Sequence, residues 1–138
     1  MGRRTKAREC AFQILYQREI SGDPMDVVLE GFWRLRSGTP QMRAMAERLA
    51  FGSDGRTAEL DALVAEAATH WRLDRIAAVD RTILRLGAFE LEAEEATPAA
   101  VVLDEAVELA KRFGEADSPA FVNGVLDAIR RRIRAGRG

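Results

Sequence analysis

Apolar residues recur at spacings of three and four along nearly the whole chain, and this period constrains the fold more than any other feature. Such spacing places apolar side chains on one face of an α-helix, whereas the alternation typical of strands never extends beyond a few residues. The 138 residues, 47% of them apolar and only four of them proline, are enough for one compact domain with a packed core. The sequence therefore predicts an all-α protein.

Turn and capping signals divide the first half of the chain into helices. The first helix is expected to begin after Thr5 and to end at Ser21-Gly22, and the second to follow Asp23-Pro24. A third apolar stripe runs over 41–67, although the turn-forming residues 52–55 interrupt it. This interruption allows either a turn or one long helix with a weak middle, and we favour the long helix.

The second half repeats the pattern with clearer start signals. A short helix is expected at Asp74, an apolar stripe covers 83–91, and Thr97-Pro98 and Ser118-Pro119 each combine a capping residue with a proline. We expect Gly114 to end the helix between these two starts. A soft boundary near 69–71 divides the chain into an N-terminal helical subdomain, 1–69, and a C-terminal one, 70–138.

Charge is distributed unevenly along the chain, although the net charge is only −1. Residues 1–20 contain five bases and two acids, 128–138 contain five arginines and no acid, and the intervening body contains 11 bases and 20 acids. Basic ends on an acidic body suggest binding of a polyanion, but terminal charges also keep proteins soluble. Charge alone does not decide between these two explanations.

The sequence lacks the residue patterns of common enzymes and metal sites. It has one Cys and one His, so it predicts no disulfide, no metal site, no cofactor and no catalytic centre. We interpret Cys10 as a core residue and His70 as structural. No segment has the length and apolarity of a membrane span or of a secretion signal, and we therefore expect a cytoplasmic protein that is not an enzyme.

Three segments of the chain resemble the NusB family of bacterial transcription antitermination factors. They are RRTKARECAFQILYQ at the start, AVDRTILRLGAFEL in the middle and PAAVVLDEAVELAKRFGEADSPAFVNGVLD near the end, the last being the most specific. The chain also resembles the NusB-like domain fused to some ribosomal RNA cytosine methyltransferases, but we expect the stand-alone factor.

The resemblance implies a fold and a function. The fold would be two three-helix subdomains packed together. The function would be recognition of single-stranded boxA RNA in ribosomal RNA leaders, jointly with NusE, the small-subunit ribosomal protein that doubles as a transcription factor. Both would act in the antitermination complex of RNA polymerase. A homodimer of this chain is also possible.

The resemblance also implies site residues. RNA-binding positions form two groups. The first is a basic arm of Arg3, Arg4, Lys6 and Arg8, in which Thr5 stands where an arginine often occurs. The second lies in the second half of the chain and comprises Arg85, Phe113, Asp117, Phe121 and Asn123. Positions implicated in contact with NusE are Tyr16, Asp80 and Arg85. By helical spacing alone, Phe113 and Phe121 could equally be core residues, and a close helix crossing at Gly124 would explain the Asn123-Gly124 pair without RNA. The rival hypothesis is a helical protein-interaction scaffold that does not recognise RNA.

Overall fold

The computed structural model describes residues 2–69 and 71–136, and within these ranges it contains helices and no strand. The prediction of an all-α fold is therefore confirmed. His70 lies outside the described residues. The described ranges contain seven helices: α1 Arg3–Ser21, α2 Met25–Arg34, α3 Pro40–Asp54, α4 Thr57–Ala67, α5 Ala78–Ala93, α6 Ala99–Phe113 and α7 Ser118–Gly136. A short 3-10 turn, Leu73–Arg75, follows α4.

Local chemistry sets several of the helix ends. Gly22 adopts a left-handed conformation, with φ of 72°, and its N–H bonds the Arg18 carbonyl to end α1. The Thr39 hydroxyl accepts the Met42 N–H at 3.1 Å, which caps the start of α3. The prediction that α1 begins after Thr5 is wrong, because Thr5 lies inside the helix and donates instead to Glu105 at 2.7 Å.

The predicted long helix over 41–67 is divided into α3 and α4. Gly55 keeps helical dihedral angles, and Arg56 leaves the helical path with φ of −125° and ψ of 25°. A tertiary contact explains the glycine at position 52, because a Cβ there would lie 2.2 Å from the Phe89 ring of α5. Because of the break, α3 and α4 run in different directions and both contact α5, and α4 also contacts α7.

Helix α5 lies at the centre of the fold. It packs against α1, α3 and α4 from the first half and against α6 and α7 from the second. Its Ile83 and Leu84 are fully buried, and Gly87 lets Leu126 of α7 approach so closely that a Cβ would lie 2.7 Å from it. One apolar core therefore runs through both halves, and it includes Cys10 as the sequence predicts. The division at 69–71 remains a prediction about organisation.

Candidate nucleic-acid and protein interface

The basic arm lies in the first turns of α1. Arg3, Arg4 and Lys6 are exposed, and none of them forms an ion pair with another described residue. The unpaired N–H groups at the start of α1 add positive potential at the same place. The arm therefore offers three free cations to a polyanion.

Arg8 does not share this exposure, because its side chain is buried between α1, α5 and α6. Its Nε lies 2.9 and 3.1 Å from the two carboxylate oxygens of Glu90, and both side chains are less than 5% exposed. Glu105 lies further away, at 3.8 Å from Nη1. Burial raises the pKa of Glu90, and the charge and hydrogen bonds of Arg8 oppose that rise. The structure thus places Arg8 in the core and not on the arm surface.

Tyr16 and Phe113 lie at the edge of the core around Phe12. The rings of Phe12 and Tyr16 are 5.9 Å apart, and those of Phe12 and Phe113 are 5.0 Å apart. The Arg112 guanidinium covers the Phe113 ring at 5.4 Å. Phe113 is therefore a half-buried packing residue that contacts Phe12 and lies under the Arg112 guanidinium.

A second cluster forms at the α6–α7 connection and the start of α7. Asp117 and Asn123 are exposed, and Phe121 is half-buried. The Phe121 ring meets Trp71 edge-on at 5.7 Å, and Trp71 is 55% exposed. No atom lies within 4 Å of a Cβ placed at Gly124, so a close helix crossing does not explain that glycine.

Trp71 is a candidate site residue that the sequence analysis did not select. Its only sequence signal is a large aromatic residue beside a helix boundary, which does not separate a core residue from a surface one. Exposed aromatic faces provide stacking platforms for unpaired bases. Trp71 and Phe121 together give this surface two such rings.

Asp80 joins this second cluster from the first turn of α5. Its Oδ1 is buried without a hydrogen-bond partner among the described residues. Burial raises the pKa of Asp80, the nearby Asp117 and Glu115 raise it further, and the Ser118 hydroxyl offsets part of the rise. The structure therefore brings Asp80, predicted to contact NusE, close to Asp117, predicted to contact RNA.

Arg85 is engaged inside the protein. It bonds both carboxylate oxygens of Asp61, at 2.5 and 2.9 Å, and reaches Glu19 at 3.3 Å, so that it links α5 to α4 and α1. Arg81 also bonds Glu19, at 3.0 Å. Although burial raises the pKa of Glu19, these two arginines lower it overall. A partner would reach Arg85 only at the 15% of its side chain that is exposed.

Two structural features are absent from the described part of the chain. No group of three or more His, Cys, Asp or Glu residues there could hold a metal ion. No helix there has the length and apolarity needed to cross a membrane.

The fold and the site define a small helical protein with a free cationic helix start and two half-exposed aromatic rings near a partly buried carboxylate. The model of the NusB family matches residues 5–131, and the chain belongs to that family.

Relatives match over nearly their whole length. The "Transcription antitermination protein NusB" of Sorangium cellulosum is 49% identical, with 94% of this chain and 92% of the relative covered. The protein of the same name from Streptomyces coelicolor is 44% identical, with 94% of each covered.

Solved structures agree with this result. NusB from T. maritima has a TM-score of 0.85 at 34% identity, covering 95% of this chain and 92% of that one. A chain in a crystal structure of the antitermination factors NusB and NusE in complex with dsRNA has a TM-score of 0.87 at 26% identity. The match covers 96% of this chain and 98% of that one.

Proposed function

We propose that this chain is a non-catalytic transcription antitermination factor that binds boxA RNA of ribosomal RNA leaders together with NusE. The observation that carries the proposal is a set of exposed cations, Arg3, Arg4 and Lys6, that have no ion-pair partner among the described residues, in a chain of the NusB family. Support comes from relatives named as transcription antitermination proteins and from a similar structure that contains NusE and RNA. Its site of action would be the RNA polymerase antitermination complex in the cytoplasm.

RNA binding divides between two kinds of contact. The three arm cations neutralise phosphates, which fixes the position of the strand without reading its sequence. Phe121 and Trp71 stack on splayed bases, and the Asn123 amide, with one acceptor and two donors, reads a base edge. The exposed Gly124 beside it lets a strand approach the backbone of α7 closely.

NusE binding is assigned to Asp80 and Tyr16. Asp80 is half-buried in the second cluster, and a basic side chain of the partner would pair with its carboxylate. Tyr16 is half-buried and extends the aromatic edge around Phe12. Since Asp80 lies close to Asp117, protein and RNA would meet at adjoining surfaces.

A gel-shift titration separates this proposal from a protein scaffold without RNA recognition. The chain is titrated against boxA RNA and against a scrambled RNA of the same composition, with and without purified NusE. We expect preferential binding of boxA and a clear gain in affinity when NusE is present. Equal binding of the two RNAs would reject specific recognition, and no effect of NusE would reject the partner. Size measurement of the free protein in the same buffer tests for a homodimer.

A further inference from the structure

Two arginines at the α2–α3 connection lie over aromatic rings. The Arg36 Cζ is 4.5 Å from the centre of the Phe32 ring, and the Arg43 Cζ is 4.9 Å from that of Trp33. The two rings themselves meet edge-on at 4.9 Å. Four side chains thus form one continuous stack, which we call the α2–α3 arginine stack.

Neither guanidinium of the stack has a carboxylate partner among the described residues, and both residues are exposed. Arg34 provides a contrast two positions before Arg36, because its guanidinium pairs with Glu30 at 2.9 Å. A guanidinium that stacks on a ring keeps its N–H edges free, and those edges match a phosphate with two parallel hydrogen bonds. The stack therefore holds two cations in fixed positions and leaves their donors unused.

The stack lies at the same end of the fold as the basic arm. Helix α3 begins at Pro40 and packs against α1. On the α3 side, Met45 lines one cavity together with Arg4 of the arm. Arg43 lies at the start of α3. Because Met45 also lies near that start, the α2–α3 connection and the start of α1 are neighbours.

We infer that Arg36 and Arg43 form a second phosphate-binding surface, which holds the RNA that flanks the segment bound by the arm. The inference rests on the proposed function and extends it to a longer RNA. Single-stranded RNA is the partner that these charges favour, because two unpaired guanidinium groups at the same end of the fold as the arm can bind further phosphates of one strand. An acidic protein segment would bind the same charges, and the test distinguishes the two.

The test compares a short boxA RNA with one extended by about ten nucleotides on each side. The variant Arg36→Gln, Arg43→Gln removes both cations. Its control, Arg34→Gln, Arg131→Gln, removes the same net charge from two exposed arginines that already pair with carboxylates on their own helices. Loss of cation–π contacts at exposed sites has little effect on folding, and circular dichroism of both variants verifies that they are folded.

Each neutralised phosphate of a single strand contributes about 0.7 to the salt slope, so two lost contacts reduce the slope by about 1.4. On the extended RNA, the wild type should therefore lose about sevenfold more affinity than the variant between roughly 50 and 200 mM salt. The control should behave as the wild type does. On the short RNA, the variant and the wild type should bind alike.

An unchanged slope on the extended RNA would overturn the inference, and so would an equal loss on both RNAs. A variant that loses affinity for NusE but not for RNA would assign the stack to a protein partner instead. Failure of the wild type to prefer boxA over scrambled RNA is a separate result, because it rejects the proposed function. The slope difference would then still decide whether the stack binds phosphates.

Discussion

The Arg8–Glu90 ion pair leads to a prediction that separates a folding role from an RNA-binding role. We expect Arg8→Met to lower the free energy of unfolding by about 3 to 5 kcal/mol, because it leaves a buried carboxylate without its partner. The two side chains are 3% and 4% exposed, and Nε contacts both carboxylate oxygens. An ion pair on the surface would contribute only about 0 to 1 kcal/mol.

The expected loss is large enough to measure by thermal unfolding. At about 2.1 cal/mol/K per residue, a chain of this length has an unfolding entropy of about 0.29 kcal/mol/K, so Tm should fall by about 10 to 17 °C. The matched control is the double variant Arg8→Met, Glu90→Met. It should recover most of the loss, because apolar side chains of similar volume often replace a buried ion pair without cost.

The pH dependence of the loss follows from the direction of the Glu90 pKa shift. Burial raises this pKa in the folded protein, and removal of Arg8 raises it further. A carboxyl whose pKa is higher in the folded state stabilises the folded protein at pH values below its unfolded pKa of about 4.3. This stabilisation is lost as the pH rises through the folded-state pKa, because the buried group must then ionise. The deficit of Arg8→Met should therefore be largest near pH 8 and shrink towards pH about 4.3.

Calorimetry over this pH range can refute the reasoning. A loss below about 1 kcal/mol at pH 7 would show that Arg8 is not a buried partner of Glu90. A double variant no more stable than Arg8→Met would show that the cost does not come from an unpaired carboxylate. Only the first result would be compatible with an RNA-binding role for Arg8.

Two glycines and one carboxylate give further tests. Gly52→Ala should cost about 1 to 3 kcal/mol in urea unfolding, because its Cβ would lie 2.2 Å from the Phe89 ring. Gly124→Ala, with no atom within 4 Å, should stabilise α7 by about 0.5 to 1 kcal/mol, and equal effects at the two glycines would contradict the packing argument. Asp80→Asn should have a free energy of unfolding at pH 7 equal to or above that of the wild type, because burial raises the pKa of Asp80 and so disfavours its charged form. The gain should disappear below pH about 4, where the wild-type carboxyl is neutral as well. The same variant should bind NusE at least about tenfold more weakly in titration calorimetry, and wild-type affinity would assign Asp80 to the fold alone.

The helices and the core could be predicted from the sequence because both depend on local period and on capping. Gly22 ends α1 and the Thr39-Pro40 pair starts α3 through contacts within a few residues. The turn-forming residues 52–55 allow both a break and a continuous helix, and the break falls at Arg56. Only the position of Phe89 on α5 shows why residue 52 has no side chain. No pattern within residues 41–67 contains that information.

The candidate site was predictable to a smaller extent. Exposure of the arm follows from its place before the apolar stripe, but Arg8 lies three, four and seven residues before Ala11, Phe12 and Leu15, which places it on the buried face. This helical phase predicts that Arg8 is buried. Its partner Glu90 is 82 residues away in the sequence, so no local pattern predicts the ion pair. The α2–α3 arginine stack likewise depends on tertiary placement of its rings.

The salt dependence of boxA RNA binding tests the central claim most directly. The variant Arg3→Gln, Arg4→Gln, Lys6→Gln removes the three free cations of the arm and leaves the buried Arg8 in place. We expect the slope of log affinity against log salt to fall by about 2 relative to wild type, with nearly the same Tm, because exposed charges contribute little to stability. A slope equal to that of the wild type would contradict the account, because the arm would then make no contact with RNA phosphates.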